Sequence, residues 1–234
     1  MPGLGQLGLL APRPYLFAPA PKRPTVLKGD WRFGIGTGTK LPDLSRYRAH
    51  GTISGADWAT GAHGKCLDFD SSVPDFVKIP ASYTHLNFIS EDFSIICRVY
   101  PDDISSQPEL FGRGRNYNEG YYLWVYSNGA IYFRTNQSGA RQDTISSAGD
   151  ISTGAWYTVG VSRDGAAAAI YLNGVDVTAT AATHVDPATC SRAAYIGVYD
   201  DEALLAFDGK IEFLRIFGRA LPASEHLAYH NALA

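Results

Sequence analysis

The sequence predicts an all-β protein, a sandwich of two antiparallel sheets with an extended N-terminal arm and a short C-terminal helix. Three observations carry this. Runs alternating apolar and polar residues recur at spacings of about 8–15 residues from Gly29 onward. Tight-turn signals separate them, above all Arg163-Asp164-Gly165, Asn173-Gly174 and Ser127-Asn128-Gly129. Finally, 24 glycines and 14 tyrosines accompany a charged content of 18%, the composition of a turn-rich β domain.

In chain order, strands are expected near 30–34, 50–54, 65–70, 75–80, 92–101, 108–113, 120–127, 130–136, 141–146, 155–163, 167–172, 175–180, 193–199 and 208–217. Alternation is clearest in Phe93-Ser-Ile-Ile-Cys-Arg-Val-Tyr100 and in Tyr121-Tyr-Leu-Trp-Val-Tyr126. A helix is expected over about 222–232, where Pro222 suits a first turn and Glu225 favours the positive N-terminal end. No repeat of 20–50 residues is visible.

Residues 1–28 form a separate region, with residues 29–234 as the folded domain. Six of the 13 prolines fall in the first 24 positions, so this stretch cannot join a helix or a central strand. It also carries apolar side chains, among them Leu9, Leu10, Tyr15, Leu16 and Phe17, which are expected to dock on a partner subunit. Folding back on its own domain is the competing expectation.

The net charge is −3 and no run of Lys or Arg appears, which argues against nucleic acid and against an anionic membrane as partners. Among the three cysteines, Cys66 and Cys97 sit in expected strands, where pairing across a sheet competes with two buried free thiols. The opening residues lack the positive region and the long apolar stretch of a secretory leader, so the general secretion route is not expected. The sequon at Asn136-Gln-Ser138 is read as coincidence on that ground.

Patterns that carry catalysis are missing from the sequence. Sandwich glycosidases place acid and nucleophile on alternate strand positions, and no such acidic run occurs here. Asp102-Asp103 and Asp200-Asp201-Glu202 read as solvated turns. His226 and His230 are spaced i, i+4 but lack the intervening glutamate and third ligand of a zinc site, so they read as packing or surface residues. The chain is therefore expected not to be an enzyme. The loops Arg113–Glu119, Tyr126–Asn128, Asn136-Gln137 and Tyr199–Glu202 instead concentrate Tyr, Asn, Arg and Asp, the groups that stack on sugar rings and take their hydroxyls. Candidate carbohydrate contacts are Arg115, Asn116, Tyr117, Asn118, Tyr126, Asn136, Tyr199 and Asp200. The competing reading gives the asparagines to turn geometry and the tyrosines to packing.

Several segments carry a family resemblance. They are Trp31-Arg-Phe33, Asp43-Leu-Ser45, Gly51–Ser54, Gly61–Asp70 with Asp75–Pro80, Phe93-Ser-Ile95, Trp156–Val177 and Asp208–Leu221. In this order they resemble the laminin-G-like, concanavalin A-like jelly rolls over roughly 30–233, most of which are binding or structural modules. The resemblance implies a jelly-roll topology and a structural Ca²⁺ site for which Asp43 and Glu212 are the candidate ligands. Glu212 stands where the family pattern has a different acidic arrangement, and an inward carboxylate bonded to turn amides is the alternative. With no secretory leader expected, a low charge content and a proline-rich arm, the chain is expected to be a non-catalytic virion component of a tailed phage, decorating capsid or tail. It would be assembled in the host cytoplasm as a homo-oligomer, with other virion subunits as partners and a cell-surface glycan as a further one. The alternative is an extracellular carbohydrate-binding module or lectin, and a third reading is an atypical polysaccharide-cleaving enzyme.

Overall fold

The computed structural model describes residues 27–232. Its strands are β1 (Leu27–Arg32), β2 (Lys40–Leu41), β3 (Gly51–Ser54), β4 (Asp57–Thr60), β5 (Lys65–Phe69), β6 (Phe76–Ile79), β7 (Phe93–Asp103), β8 (Glu109–Arg115) and β9 (Glu119–Val125). They continue with β10 (Ile131–Gln137), β11 (Ala140–Ser146), β12 (Tyr157–Asp164), β13 (Ala167–Leu172), β14 (Val175–Asp176), β15 (Thr178–Thr180), β16 (Ala194–Ile196) and β17 (Asp208–Phe217). Helix α1 follows at Ala223–Asn231.

Two antiparallel sheets result, as expected. One has eight strands in the order β14-β13-β12-β7-β17-β5-β4, with β1 also paired to β17. The other has nine, in the order β15-β11-β10-β9-β8-β16-β6-β3-β2. Side chains of period two send Phe93, Ile95, Cys97 and Val99 of β7 inward to meet Tyr121, Leu123 and Val125 of β9 in a single core. At Asn173-Gly174 both residues have positive φ, 52° and 80°, the geometry that a two-residue hairpin between β13 and β14 requires.

Several expectations are adjusted. β1 begins at Leu27, inside the stretch assigned to the arm, because Leu27–Arg32 pairs with β17 through Phe217–Phe213. The arm residues Leu9, Leu10, Tyr15, Leu16 and Phe17 lie outside the described residues. The three cysteines are free and buried. Cys66 on β5 and Cys97 on β7 cannot bridge, since β17 runs between their strands. Burial pushes the Cys97 thiol up to about 12 and the Cys66 thiol up to about 11, which keeps both unreactive.

Helix α1 covers part of the outward face of the eight-stranded sheet. Its His226 stacks on Tyr171 at 3.9 Å and reaches Ser162 Oγ with Nε2 at 2.8 Å. Ser94 and Ser162, neighbours on β7 and β12, also bind the backbone of Arg219 and Leu221. Ile96, Phe213, Phe217 and Leu221 form a second apolar cluster there, with Tyr229 packed against it. His226 is thus a packing residue, as expected. Among the described residues no helix is long and apolar enough to cross a membrane.

Candidate functional site

The outward face of the nine-stranded sheet carries a groove of about 460 Å³. Alternation along β9 turns Tyr121, Leu123 and Val125 into the core, so Tyr122 and Trp124 face outward and Tyr126 follows at the strand end. Register supplies the rest. Trp124 lies opposite Tyr132, and Tyr122 opposite Arg134, across the β9–β10 pair. Arg134 in turn faces Asp143 on β11, and Tyr122 faces Gly112 on β8. One row therefore reads Asp143, Arg134, Tyr122, Gly112 across four strands.

Arg134 is the hub of this row. Its Nε and Nη2 donate to the two Asp143 oxygens at 2.5 and 2.7 Å, a bidentate pair. Nη1 donates to Asn116 Oδ1 at 3.0 Å and to the Tyr122 hydroxyl at 3.2 Å. The guanidinium also lies 4.5 Å from the Trp124 ring centre, a cation–π contact. Burial works against its charge, but Asp143 and Tyr122 outweigh that and hold it above the ordinary arginine value. Trp124 is only 5% exposed beneath it, whereas Tyr126 is 37% exposed. Tyr126 and Tyr132, with ring centres 5.3 Å apart, form the accessible aromatic wall.

The opposite wall is made by two loops under backbone strain, one between β7 and β8 and one between β16 and β17. Gln107, Leu205 and Glu202 have positive φ without being glycine, and Gln107 and Leu205 line the groove. Beside them Glu109, opposite Trp124 in register, is 2% exposed, and its Oε2 has no hydrogen-bond partner among the described residues. Burial, with Asp200 and Asp201 nearby, pushes its carboxyl well above the usual range and so favours the neutral form. Gly112 makes room for it, since a Cβ there would stand 2.2 Å from Glu109 Oε1 and 2.6 Å from Tyr122 Cβ.

The structure brings three of the candidate sugar contacts into this groove: Asn116, Tyr126 and Tyr199. Asn116 N–H donates to the Tyr199 hydroxyl at 2.7 Å, tying the two loops together. Tyr117 and Asn118 are exposed on the adjoining turn, and Tyr117 has φ 60°. Arg115 and Asp200 are bonded to each other at 2.7 Å, and Asp200 also accepts from Arg192, so both are engaged beside the groove. Asn136 is fully buried and accepts the Tyr117 N–H at 3.2 Å, which makes it a support for the turn. Sequence reasoning missed Tyr122, Trp124, Tyr132, Arg134, Arg141 and Asp143. The available signal was the alternation at 121–126, which assigns every second aromatic to the outer face.

The two proposed calcium ligands are each engaged by other partners. Asp43 Oδ1 accepts from the Asp30 and Ser45 amides, and Oδ2 from Ser45 Oγ and the Ala49 amide, all at 2.7–2.8 Å. Four donors leave this carboxylate no direction for a cation. Glu212 is paired instead with Arg98 at 3.0 Å and accepts from the His63 amide at 2.8 Å. These residues do not fit Ca²⁺, and both are corrected to clamps on turns and strands. Among the described residues no group of three or more His, Cys, Asp or Glu could hold a metal ion.

Comparison with known proteins identifies the family and the fold. The family profile described as the Concanavalin A-like lectin/glucanases superfamily matches residues 72–225, about two thirds of the chain. The binding domain of Paraclostridial Mosquitocidal Protein 1 is similar in structure, with TM-score 0.71 and 15% identity over 88% of this chain and 52% of that one. Domain 4 of a GH43 extracellular arabinanase from Geobacillus stearothermophilus, in complex with arabinotriose, has TM-score 0.65 and 19% identity over 87% of this chain and 97% of that one. The botulinum neurotoxin serotype G binding domain has TM-score 0.65 and 15% identity over 88% of this chain and 51% of that one. The chain thus spans about half the length of the toxin binding domains it matches. No curated protein matches in sequence.

These comparisons overturn the virion reading. The fold is shared with toxin binding domains and a glycosidase domain, so capsid or tail decoration, virion subunits as partners and a virion location are all withdrawn. That reading rested on the absent secretory signal, the low charge content and the proline-rich arm, none of which identifies a partner. The non-catalytic reading agrees with the comparisons, in which the toxin relatives are designated binding domains.

Proposed function

The chain belongs to the Concanavalin A-like lectin/glucanases superfamily, and on that premise we propose that it is a non-catalytic carbohydrate-binding module acting outside the cell. One observation carries the reading. The outward face of the nine-stranded sheet exposes Tyr126 and Tyr132 beside the fixed Arg134–Asp143 pair and Asn116, all lining one groove. Aromatic faces take the C–H side of a sugar ring, while amide and charged groups bond its hydroxyls. The groove is concave, largely formed in advance by cross-strand register, and has few polar groups, each fixed by its neighbours. The arabinanase domain of the same fold was captured with an arabinose trimer, which supports a sugar ligand class for this architecture.

The test is calorimetric titration of the protein with a panel of neutral and acidic oligosaccharides, repeated on Tyr132→Ala and Tyr126→Ala. At least one member binds the wild type, and each substitution weakens it by roughly tenfold, about 1.4 kcal/mol for one lost stack. Absence of binding across the panel, or binding indifferent to both substitutions, refutes the proposal.

A further inference from the structure

We infer that the sugar bound in this groove carries a negative charge, a carboxylate or a sulfate ester, and that Arg141 receives it. This rests on the glycan reading of the same groove. The groove has three charged lining residues, Arg134, Arg141 and Asp143. Arg134 commits its donors to Asp143, Asn116 and Tyr122. Asp143 is in turn satisfied by Arg134 through both oxygens, so neither member of that pair is free to bind an ion.

Arg141 is different. Its Nε is 3.8 Å from Asp143 Oδ2, beyond hydrogen-bond reach. Its one hydrogen bond among the described residues is a long 3.4 Å contact to Asn116 Oδ1, an acceptor already held by Arg134 at 3.0 Å. The guanidinium lies 4.7 Å from the ring centre of Tyr117, a residue locked at φ 60° in the turn beside the groove. The Arg141 side chain is 34% exposed, and the long Asn116 contact is its only hydrogen bond among the described residues, so its donors remain available. Such a planar fork recognises a two- or three-oxygen anion bidentately.

The rest of the groove agrees with this sign. Arg134, Arg141 and Asp143 sum to one positive charge. Asp200 is neutralised by Arg115 and Arg192. Asp201 stands on the far loop and directs Oδ1 to the Ala203 and Leu204 amides. Glu109 is buried, does not line the groove, and is pushed toward its neutral form by burial and by Asp200 and Asp201. A sugar stacked on Tyr126 and Tyr132 therefore meets a net positive charge at the β11 side, two guanidinium groups sharing one carboxylate.

The experiment is titration of the full chain with three probes of similar length at low and high salt: an oligogalacturonate, which carries carboxylates alone, a κ-carrageenan oligosaccharide, which carries sulfate esters alone, and a neutral xylo-oligosaccharide. The acidic probes bind about tenfold tighter than the neutral one at low salt, and the advantage shrinks as salt rises. Whichever of the first two binds tighter identifies carboxylate or sulfate as the natural group. In Arg141→Gln the acidic-to-neutral affinity ratio collapses to within about twofold, and Arg141→Lys recovers part of it. A ratio near one in the wild type, or one that Arg141→Gln leaves unchanged, overturns the inference while the neutral probe still reports a working groove. Failure of all three probes to bind strikes at the glycan reading itself.

Discussion

The outward faces of the two sheets are built alike and finished differently. On the eight-stranded sheet, Ser94, Ile96, Ser162, Phe213 and Phe217 point away from the core, and the chain covers them with Leu221, His226 and Tyr229. On the nine-stranded sheet, Tyr122, Trp124, Tyr132 and Arg134 point away from the core, and among the described residues no helix covers them. The first face closes its hydrogen bonds internally through the Ser94–Ser162–His226 network. The second borders three strained non-glycine residues, Gln107, Leu205 and Glu202, and a buried carboxyl oxygen without a partner among the described residues. A fold maximising its own stability would have treated both faces like the first. The unfinished face is where an external ligand finds contacts that the chain has not made for itself.

This contrast can be broken from the covered side first. Each sheet holds one buried imidazole, His226 at the helix and His184 between Thr135 and Thr144. Ala182 N–H donates to Thr144 Oγ1, and Thr135 Oγ1 donates to Gln142, so the Thr hydroxyls fix His184 as the Nδ1–H tautomer. Burial pushes His226 and His184 down to about 4, with Arg163 adding to the effect at His184. The folded values lie below the ordinary 6.5, so the unfolded chain binds more protons between them. The imidazole contribution to stability is thus complete above pH 6.5 and falls as pH drops toward 4, by about 3 kcal/mol for each imidazole. Urea unfolding across this range shows the loss, and His226→Gln removes roughly half of its pH dependence.

A smaller effect tests how tightly the helix is seated. A Cβ on Gly160 would stand 2.4 Å from His226 Nδ1. Gly160→Val is expected to destabilise by about 2–3 kcal/mol through overpacking, measured by urea midpoint, while groove binding persists. Loss of sugar binding in that variant would show the two faces to be coupled.

On the open face, Glu109→Gln should stabilise. The folded carboxyl titrates above its ordinary value, so its favourable contribution is full below about 4.5 and is lost as pH rises toward the folded value. An amide at this position has no charge to bury, and the variant gains about 1 kcal/mol over wild type at alkaline pH and little at acidic pH. Denaturant midpoints at both pH values check this. The smallest change is expected for Tyr126→Ala, within about 0.5 kcal/mol in stability because the ring is well exposed. Its thermal midpoint should therefore match wild type although its sugar affinity falls.

Much of the sandwich was legible because a sheet with a buried face writes its period into the sequence. Phe93–Tyr100 and Tyr121–Tyr126 lie in β7 and at β9 as read. β2 and β4 were not read, since Lys40-Leu41 is too short for any period and Asp57–Thr60 is flanked by glycines that look like loop. The site was legible only at its rim. Asn116, Tyr126 and Tyr199 carry loop chemistry that stands out, while Trp124 and Tyr122 sit on a strand and are nearly as buried as core residues. The Arg134–Asp143 pair is nine residues apart in sequence and becomes a pair only once the β10–β11 register is set. The virion reading failed for a different reason, since it drew on overall charge, a missing secretory signal and the proline-rich arm and not on the sheets.

The most direct test of sugar binding at the open face is to map a bound oligosaccharide on the amide spectrum of the isotopically labelled protein. Shifts are expected to concentrate on β9, β10 and β11 and on the Trp124 indole N–H, with α1 and β12 unmoved. Shifts centred on the helix-covered face, or none at saturating sugar, would contradict that assignment.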